Sequence, residues 1–329
     1  MSMEKKKIKI AILYDKNVWL EYLNQYYDVE ISESPDYVLC DSITARECIK
    51  KYDCIRIIRI GENLRPDFNL FDYSISFDQI DYDHRNLFYP LFMSYKNDLN
   101  LALNKEKDIS ENEVLDRKFC NYVVSNGNAS APERDYFFDL LSKEYKKIDS
   151  GGKYRNNLPN GLPISNKLEF QHEYKFSLAF ENSLYKGYTT EKIIQAFAAK
   201  TIPIYWGNPD IGNDFNENAF VNCHRYATWS EVIDRIKELD SNPDKYIEAL
   251  KTPICKKDSL FEKMIEDSYL KNFFDSIFLQ PVSEAMKRTN RNAGWGAFYE
   301  RDAKMLDDMY NNKMIMTLYR LYRKIGRIK

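Results

Sequence analysis

The chain has 329 residues, 44% hydrophobic and 15% aromatic, enough for more than one well-filled core. Lys and Arg number 48 against 50 Asp and Glu, a formal charge of −2, so no global basic field recruits nucleic acid. The six cysteines (Cys40, Cys48, Cys54, Cys120, Cys223, Cys255) form no CxxC pair. No secretory leader is expected, and no segment approaches the ~20 apolar residues of a spanning helix; a reducing cytoplasm is the expected setting.

In chain order, residues 7–14 are a β-branched and aliphatic run that predicts a strand, and Trp19, Tyr22, Leu23 and Tyr26 have helical spacing. Apolar runs at 36–40, 54–60 and 73–77 predict further strands, separated by polar pieces at 44–51 and 63–69. Such alternation implies a parallel α/β sheet. Residues 97–118 turn polar and are expected to connect two domains. A second series follows, with strands expected at 120–125, 176–180 and 202–206 and a helix at 190–199 between the last two. The expected division is 1–112, 113–285, and a helical C-terminal part at 286–329.

The densest chemistry lies in residues 174–209. A strand ending at Glu181 and Asn182 leads through a loop with Gly187 into a helix beginning near Thr190, so polar groups gather at the carboxyl end of a parallel strand. Unpaired N–H groups and the helix dipole favour phosphate there, and Lys192 adds a full charge. Lysine in a first turn is unfavourable for the helix itself, which hints at an anionic ligand; an ordinary solvated lysine is the alternative. Glu191 is either a dipole partner or an acceptor for ribose or sugar hydroxyls. Ile193, Ile194, Phe197 and Ala198 mark the buried face of this helix. Tyr205 and Trp206 are expected in the core.

These residues carry a resemblance. The segment FENSLYKGYTTEKIIQAFAAKTIPIYWGNPDI with FNENAFVN after it resembles the signature of the family 10 α-1,3/1,4-fucosyltransferases, bacterial members especially. GENLRPDFNLFDYSISFD (61–78), VVSNGNA (123–129) and DSGGKYRNN (149–157) agree in order, so the likeness spans about residues 59–226. It implies a GT-B fold: two Rossmann-like domains with an interdomain active-site cleft, the first facing the acceptor and the second holding GDP-fucose.

By motif position it implies Glu62 as the catalytic base that takes the proton of the attacking hydroxyl. It implies Arg155 and Lys192 as the cations that meet the charge of departing GDP; pairing of Arg155 with Glu169 or Glu173 is the alternative. Ser125 and Asn126 would contact diphosphate or fucose. Glu181, Asn182, Tyr188, Thr190 and Glu191 would complete the donor set, although Tyr188 equally suits packing against the Gly187 turn. The implied acceptor is an N-acetyllactosamine-type glycan fucosylated on the GlcNAc 3-hydroxyl, giving a Lewis X-type product. A catalytically silent glycan- or nucleotide-binding protein is the alternative. Two departures stand out: ASAPER at 129–134 places its basic residue, Arg134, further from the Ser-Asn motif than in relatives, and the chain before Arg59 shows only generic similarity.

No metal is expected as a requirement, although a divalent ion pairing with GDP would stimulate turnover. Asp81-Tyr82-Asp83 is a short D-x-D far from the nucleotide signature, and His84, His172 and His224 lack ligand spacing. In the tail, residues 313–329, Met314, Ile315, Leu318, Leu321, Tyr322, Ile325 and Ile328 share one helical face. Lys313, Arg320, Arg323, Lys324 and Arg327 share the other. That pattern fits peripheral binding to an anionic membrane, or docking on the protein itself or on the mate of a homodimer; the resemblance favours the membrane.

Overall fold

The computed structural model of the chain describes residues 4–107, 109–127, 130–288 and 294–326, with side chains through Tyr322. The first series is β1 (Lys7–Ile12), α1 (Lys16–Tyr26), β2 (Asp28–Ile31), β3 (Tyr37–Asp41), α2 (Ala45–Lys51), β4 (Ile55–Arg59), β5 (Tyr73–Ser76) and β6 (Asn86–Phe88). Its six strands run in the order β2-β1-β3-β4-β5-β6, and the pairs from β2 to β5 are parallel. Helices on a parallel sheet bury both faces of its central strands. Accordingly β3 and β4 present Val38, Leu39, Cys40, Ile55, Ile57 and Ile58 as near-continuous apolar runs, all buried. The edge strand β2 alternates Asp28 and Glu30 with Val29 and Ile31 and is largely solvated, which hides it from an apolar-run reading.

The second series begins where a connection was expected. Residues 97–118 fold largely into α3 (Lys96–Leu103) and α4 (Glu111–Leu115), because Leu99, Ala102 and Val114 give these polar stretches a buried side. Then come β7 (Lys118–Tyr122), α5 (Pro132–Glu144), β8 (Asp149–Ser150), α6 (Lys167–His172), β9 (Tyr174–Phe180), α7 (Glu191–Ala198), β10 (Ile202–Trp206) and β11 (Val221–Asn222). They form a five-stranded parallel sheet in the order β11-β10-β9-β7-β8. α8 (Trp229–Ser241), α9 (Pro243–Lys251) and α10 (Leu260–Ile265) follow. Phe137, Phe176, Phe180, Ile202, Ile204, Ile233, Ile236 and Leu250 are among the residues of its core.

The last helices are α11 (Asp267–Phe278), α12 (Val282–Ala285), α13 (Trp295–Asn311) and α14 (Lys313–Gly326). Two compact units result: one contains the residues through Ser76, Ile80–Leu87 and those from Leu270 onward, the other Phe77–Gln79 and Phe88–Tyr269. Aromatic contacts bring the chain back to the first unit. Phe274 meets Trp19 with ring centroids 5.9 Å apart, and Phe278 meets Tyr27 at 5.1 Å and Tyr37 at 4.7 Å.

Buried charge fastens the return. Asp72, fully buried, accepts the Arg56 backbone N–H at 2.8 Å through one carboxylate oxygen and the Lys287 and Arg288 N–H groups at 2.8 and 2.9 Å through the other. The Arg56 guanidinium donates to Glu300 of α13 at 2.8 Å, with the two side chains 0% and 6% exposed. A buried pair adds little over an apolar replacement, but breaking one strands a charge. Glu300→Ala is therefore expected to destabilise the first unit by about 3 kcal/mol, with amide exchange rising together in β4 and α13. Unchanged exchange in both elements would show that α13 is not held this way.

Candidate active site

The site grows from the β9–β10 register, which runs from Phe176↔Ile202 to Phe180↔Trp206. One residue beyond it the Glu181 N–H still donates to the Trp206 carbonyl, at 2.8 Å. That bond turns the Glu181 side chain under Gly207, whose φ is +151° and where a Cβ would lie 2.4 Å from Glu181 Cγ. Glycine there lets the backbone close over the carboxylate.

Glu181 is fully buried. Its Oε1 accepts the Thr190 N–H at 2.7 Å, and its Oε2 accepts the Thr190 hydroxyl at 2.6 Å and Lys192 Nζ at 3.1 Å. Thr190 makes no side-chain cap bond of its own, so a carboxylate from the neighbouring strand satisfies the first donors of α7. Lys192 also donates to Thr190 Oγ1 at 2.7 Å and stands 3.5 Å from Glu191. Burial pushes the Lys192 pKa down, but Glu181 and Glu191 outweigh it and hold the ammonium above the ordinary lysine value. For Glu191, burial pushes up, while Lys192 and then Lys167 outweigh it and keep the carboxyl below the usual range.

Asn182 continues the strand end. Its side-chain oxygen accepts Arg134 Nη1 at 2.8 Å, and its carbonyl accepts the Ala131 N–H at 2.8 Å. Arg134, in the first turn of α5, is buried, with its guanidinium 5.9 Å from the Tyr122 ring centroid. It is a second site cation that the sequence reading did not select, although a basic residue following Pro at a helix start is a usable signal.

Tyr188 is buried with its ring centroid 5.2 Å from that of Phe77. The preceding Gly187, at φ +77°, passes so close to Phe77 that a Cβ would sit 2.4 Å from its carbonyl oxygen. Asn208 fixes this turn by accepting the Gly187 N–H at 2.9 Å and donating to Thr189 at 3.2 Å. Tyr205 and Trp206 are buried, as their strand position predicts.

On the other side of β9, the loop that begins at Gly151, after β8, is hydrogen-bonded along the end of β7. The Gly151 and Tyr154 N–H groups donate to the carbonyls of Tyr122 and Val124, each at 3.0 Å. Arg155 has φ +54° and stacks 4.5 Å over Phe138, paired with Asp135 at 3.4 Å and with Asp139. Its partners are thus two carboxylates of α5, not Glu169 or Glu173. Ser125 and Asn126 are exposed after β7. The structure therefore joins Glu181, Thr190, Glu191 and Lys192, pairs Asn182 with Arg134, and holds Arg155 on α5. Glu62 belongs to the first unit, exposed beyond β4. Among the described residues no group of three or more His, Cys, Asp and Glu is arranged to hold a metal, and no helix is long and apolar enough to cross a membrane.

Two parallel α/β units with flanking helices, one ending in a polar cluster at the carboxyl edge of its sheet, place the protein in the GT-B fold class. Residues 115–251 match the family model described as glycosyltransferase family 10 (fucosyltransferase) C-term, and residues 10–95 match that of the α-(1,3)-fucosyltransferase FucT N-terminal domain. The α-(1,3)-fucosyltransferase FucT of Helicobacter pylori is 35% identical over 282 residues, 75% of this chain and 57% of that protein. A putative fucosyltransferase of Acanthamoeba polyphaga mimivirus is 28% identical over 68% of this chain and 38% of its own length. The crystal structure of an α1,3-fucosyltransferase superposes with a TM-score of 0.73 at 30% identity, covering 86% of this chain and 93% of that one. An α1,3-fucosyltransferase with GDP-fucose gives 0.70 at 30% identity. The chain belongs to glycosyltransferase family 10, the fucosyltransferases, and spans little more than half the length of the H. pylori relative.

Because Glu181 satisfies the start of α7, Glu181→Ala is expected to leave the Thr190 N–H and Lys192 without their acceptor, a loss of about 2–3 kcal/mol. Hydrogen exchange resolved at residues 190–194 should accelerate by about 30-fold or more, on the scale of 1.4 kcal/mol per factor of ten. Unaltered exchange there would remove Glu181 from its supporting place.

Proposed function

We propose that the protein is an inverting α-1,3-fucosyltransferase that moves L-fucose from GDP-fucose to the GlcNAc 3-hydroxyl of an N-acetyllactosamine-type glycan, with a Lewis X-type product. The observation that carries this reading is the Glu181–Thr190–Lys192 cluster, which fixes a cation at a helix start on the carboxyl edge of a parallel sheet. The relative solved with GDP-fucose supports the same donor here.

Inversion is a single displacement. The acceptor oxygen bonds to the anomeric carbon, the bond from that carbon to the diphosphate oxygen breaks, and the hydroxyl proton passes to a base. Glu62 is our assignment for that base: it is exposed, so its carboxylate is open to solvent and ligand. Lys192 meets the charge gathering on departing GDP, and Arg155 joins it by exchanging Asp139 for phosphate oxygens in the two-pronged geometry of a guanidinium. Ser125, Asn126, Asn182, Tyr188 and Glu191 complete the assigned donor set. A divalent ion that pairs with released GDP would raise turnover without entering these steps.

We assign the protein to the cytoplasmic face of a membrane, bound peripherally through α14. Met314, Leu318, Leu321 and Tyr322 are 70%, 59%, 52% and 74% exposed, an apolar face left open on a helix whose span carries no acidic residue. Arg323, Lys324 and Ile325 lie beyond the described side chains, and Arg327 and Ile328 outside the described residues.

The deciding assay is mass-spectrometric detection of fucosylated N-acetyllactosamine from GDP-fucose, with and without EDTA. Product is expected in both. GDP-fucose binding without product would reject this acceptor, and absence of both would favour a silent binding protein. Glu62→Gln should keep donor affinity while turnover falls about 10²- to 10⁴-fold, whereas Lys192→Ala should weaken GDP binding and rate together. Full turnover in Glu62→Gln would remove it from the mechanism. Deleting residues 313–329 is expected to release the enzyme from vesicles containing anionic lipid in a sedimentation assay; retention would place membrane contact elsewhere.

A further inference from the structure

A second lysine belongs to the polar cluster of the second unit. Lys167, the first residue of α6, donates from Nζ to Gln195 Oε1 at 2.6 Å. Gln195, on α7, donates from Nε2 to Asp98 of α3 at 2.9 Å. With a donor on one side and an acceptor on the other, the amide has one workable orientation, so the chain Asp98–Gln195–Lys167 ties three helices together at fixed positions. A salt bridge to a surface carboxylate would need no such mediator.

The charges facing Lys167 are Glu191 and Lys192 of α7, Glu181 at the end of β9, and Asp98 of α3. Glu191 in turn feels Lys167 as its second cationic neighbour after Lys192. Lys192 lies against Glu181 and Glu191, with Arg134 opposing it. The carboxylates of Glu181 and Glu191 thus already balance Lys192 and Arg134. A sugar diphosphate arriving at the start of α7 brings two further negative charges, and Lys167 is bonded to that same helix through Gln195, one turn on from Glu191.

We propose that Lys167 is a positioning residue of the donor site: held by Gln195, which Asp98 anchors, it balances the bound diphosphate by taking up a proton as GDP-fucose binds. This rests on the donor reading given above. The proton comes from solvent and goes to Nζ, with no bond made or broken in the donor. Burial pushes the Lys167 pKa down to about 8, Lys192 adds to that, and the carboxylates only partly offset it. Near that pH the amine is half charged, and a neighbouring diphosphate favours the charged form. Donor affinity is accordingly fullest below pH 8 and declines as pH rises through that value.

The test is calorimetry of the full chain with GDP-fucose, whose diphosphate does not titrate in this range, in two buffers of different ionisation enthalpy. At pH 8 the wild type should take up about half a proton per donor bound, and at pH 6.5, where Lys167 is already charged, close to none. Lys167→Arg should bind with near wild-type affinity, take up no proton, and lose the decline above pH 8. Lys167→Met should bind more weakly, also without uptake. A lysine that merely packs would lose affinity in both variants and leave the proton count unchanged. Donor binding by the wild type with equal uptake at pH 6.5 and 8, or with uptake persisting in Lys167→Arg, would overturn the role of Lys167 and leave the donor site standing. No binding by the wild type at pH 8 would overturn the donor reading and this inference together.

Discussion

A fully buried carboxylate is costly unless several donors converge on it, and Glu181 has its donors because of where β9 ends. The β9–β10 register delivers it beneath Gly207, and α7 begins where its oxygens can take the Thr190 N–H, the Thr190 hydroxyl and Lys192. Removing any of these three features strands the others. The arrangement also explains a lysine in a first turn: its repulsion from the helix dipole is offset by a resident anion, which keeps the ammonium charged and fixed before a ligand arrives. A preset cation needs little reorganisation when negative charge develops on a leaving group.

Close backbone approaches do the rest of the positioning in the second unit. Gly152 lies so near Val124 that a Cβ would meet its carbonyl oxygen at 2.0 Å, and at Gly187 a Cβ would lie 2.4 Å from the Phe77 carbonyl oxygen. These contacts press the loop from Gly151 onto β7 and the Tyr188 turn onto Phe77. Arg134 and Arg155 both come from this neighbourhood but differ in commitment. Arg134 is enclosed on Asn182, whereas Arg155 is partly exposed on two carboxylates that a better anion can displace.

The parts of the fold that were legible in sequence are those where one local pattern dominates. The run 202–206 coincides with β10 because a parallel strand buried on both faces needs apolar residues throughout. Ile193, Ile194 and Phe197 locate the buried side of α7. What was illegible depends on contacts distant in the chain. Edge strand β2 carries two charges in four residues, and α3 buries only Leu99 and Ala102 while leaving Leu101 exposed. Nothing local in residues 270–278 says that Phe274 and Phe278 pack on aromatics near the start of the chain. Within the site, the family motif drew attention to Glu181 and Lys192, while their mutual bond and the partners of Arg155 required the fold. Lys167 and Gln195 sit in a helix start and a helix middle where neither residue type is unusual.

Hydrogen–deuterium exchange of the full chain with and without GDP-fucose tests whether the cluster around Glu181 receives the donor. Protection concentrated in residues 181–194 and 150–157, with the remaining helices of the second unit unchanged, is the predicted result. Donor binding that leaves those two segments unaltered and protects another part of the sheet would contradict it.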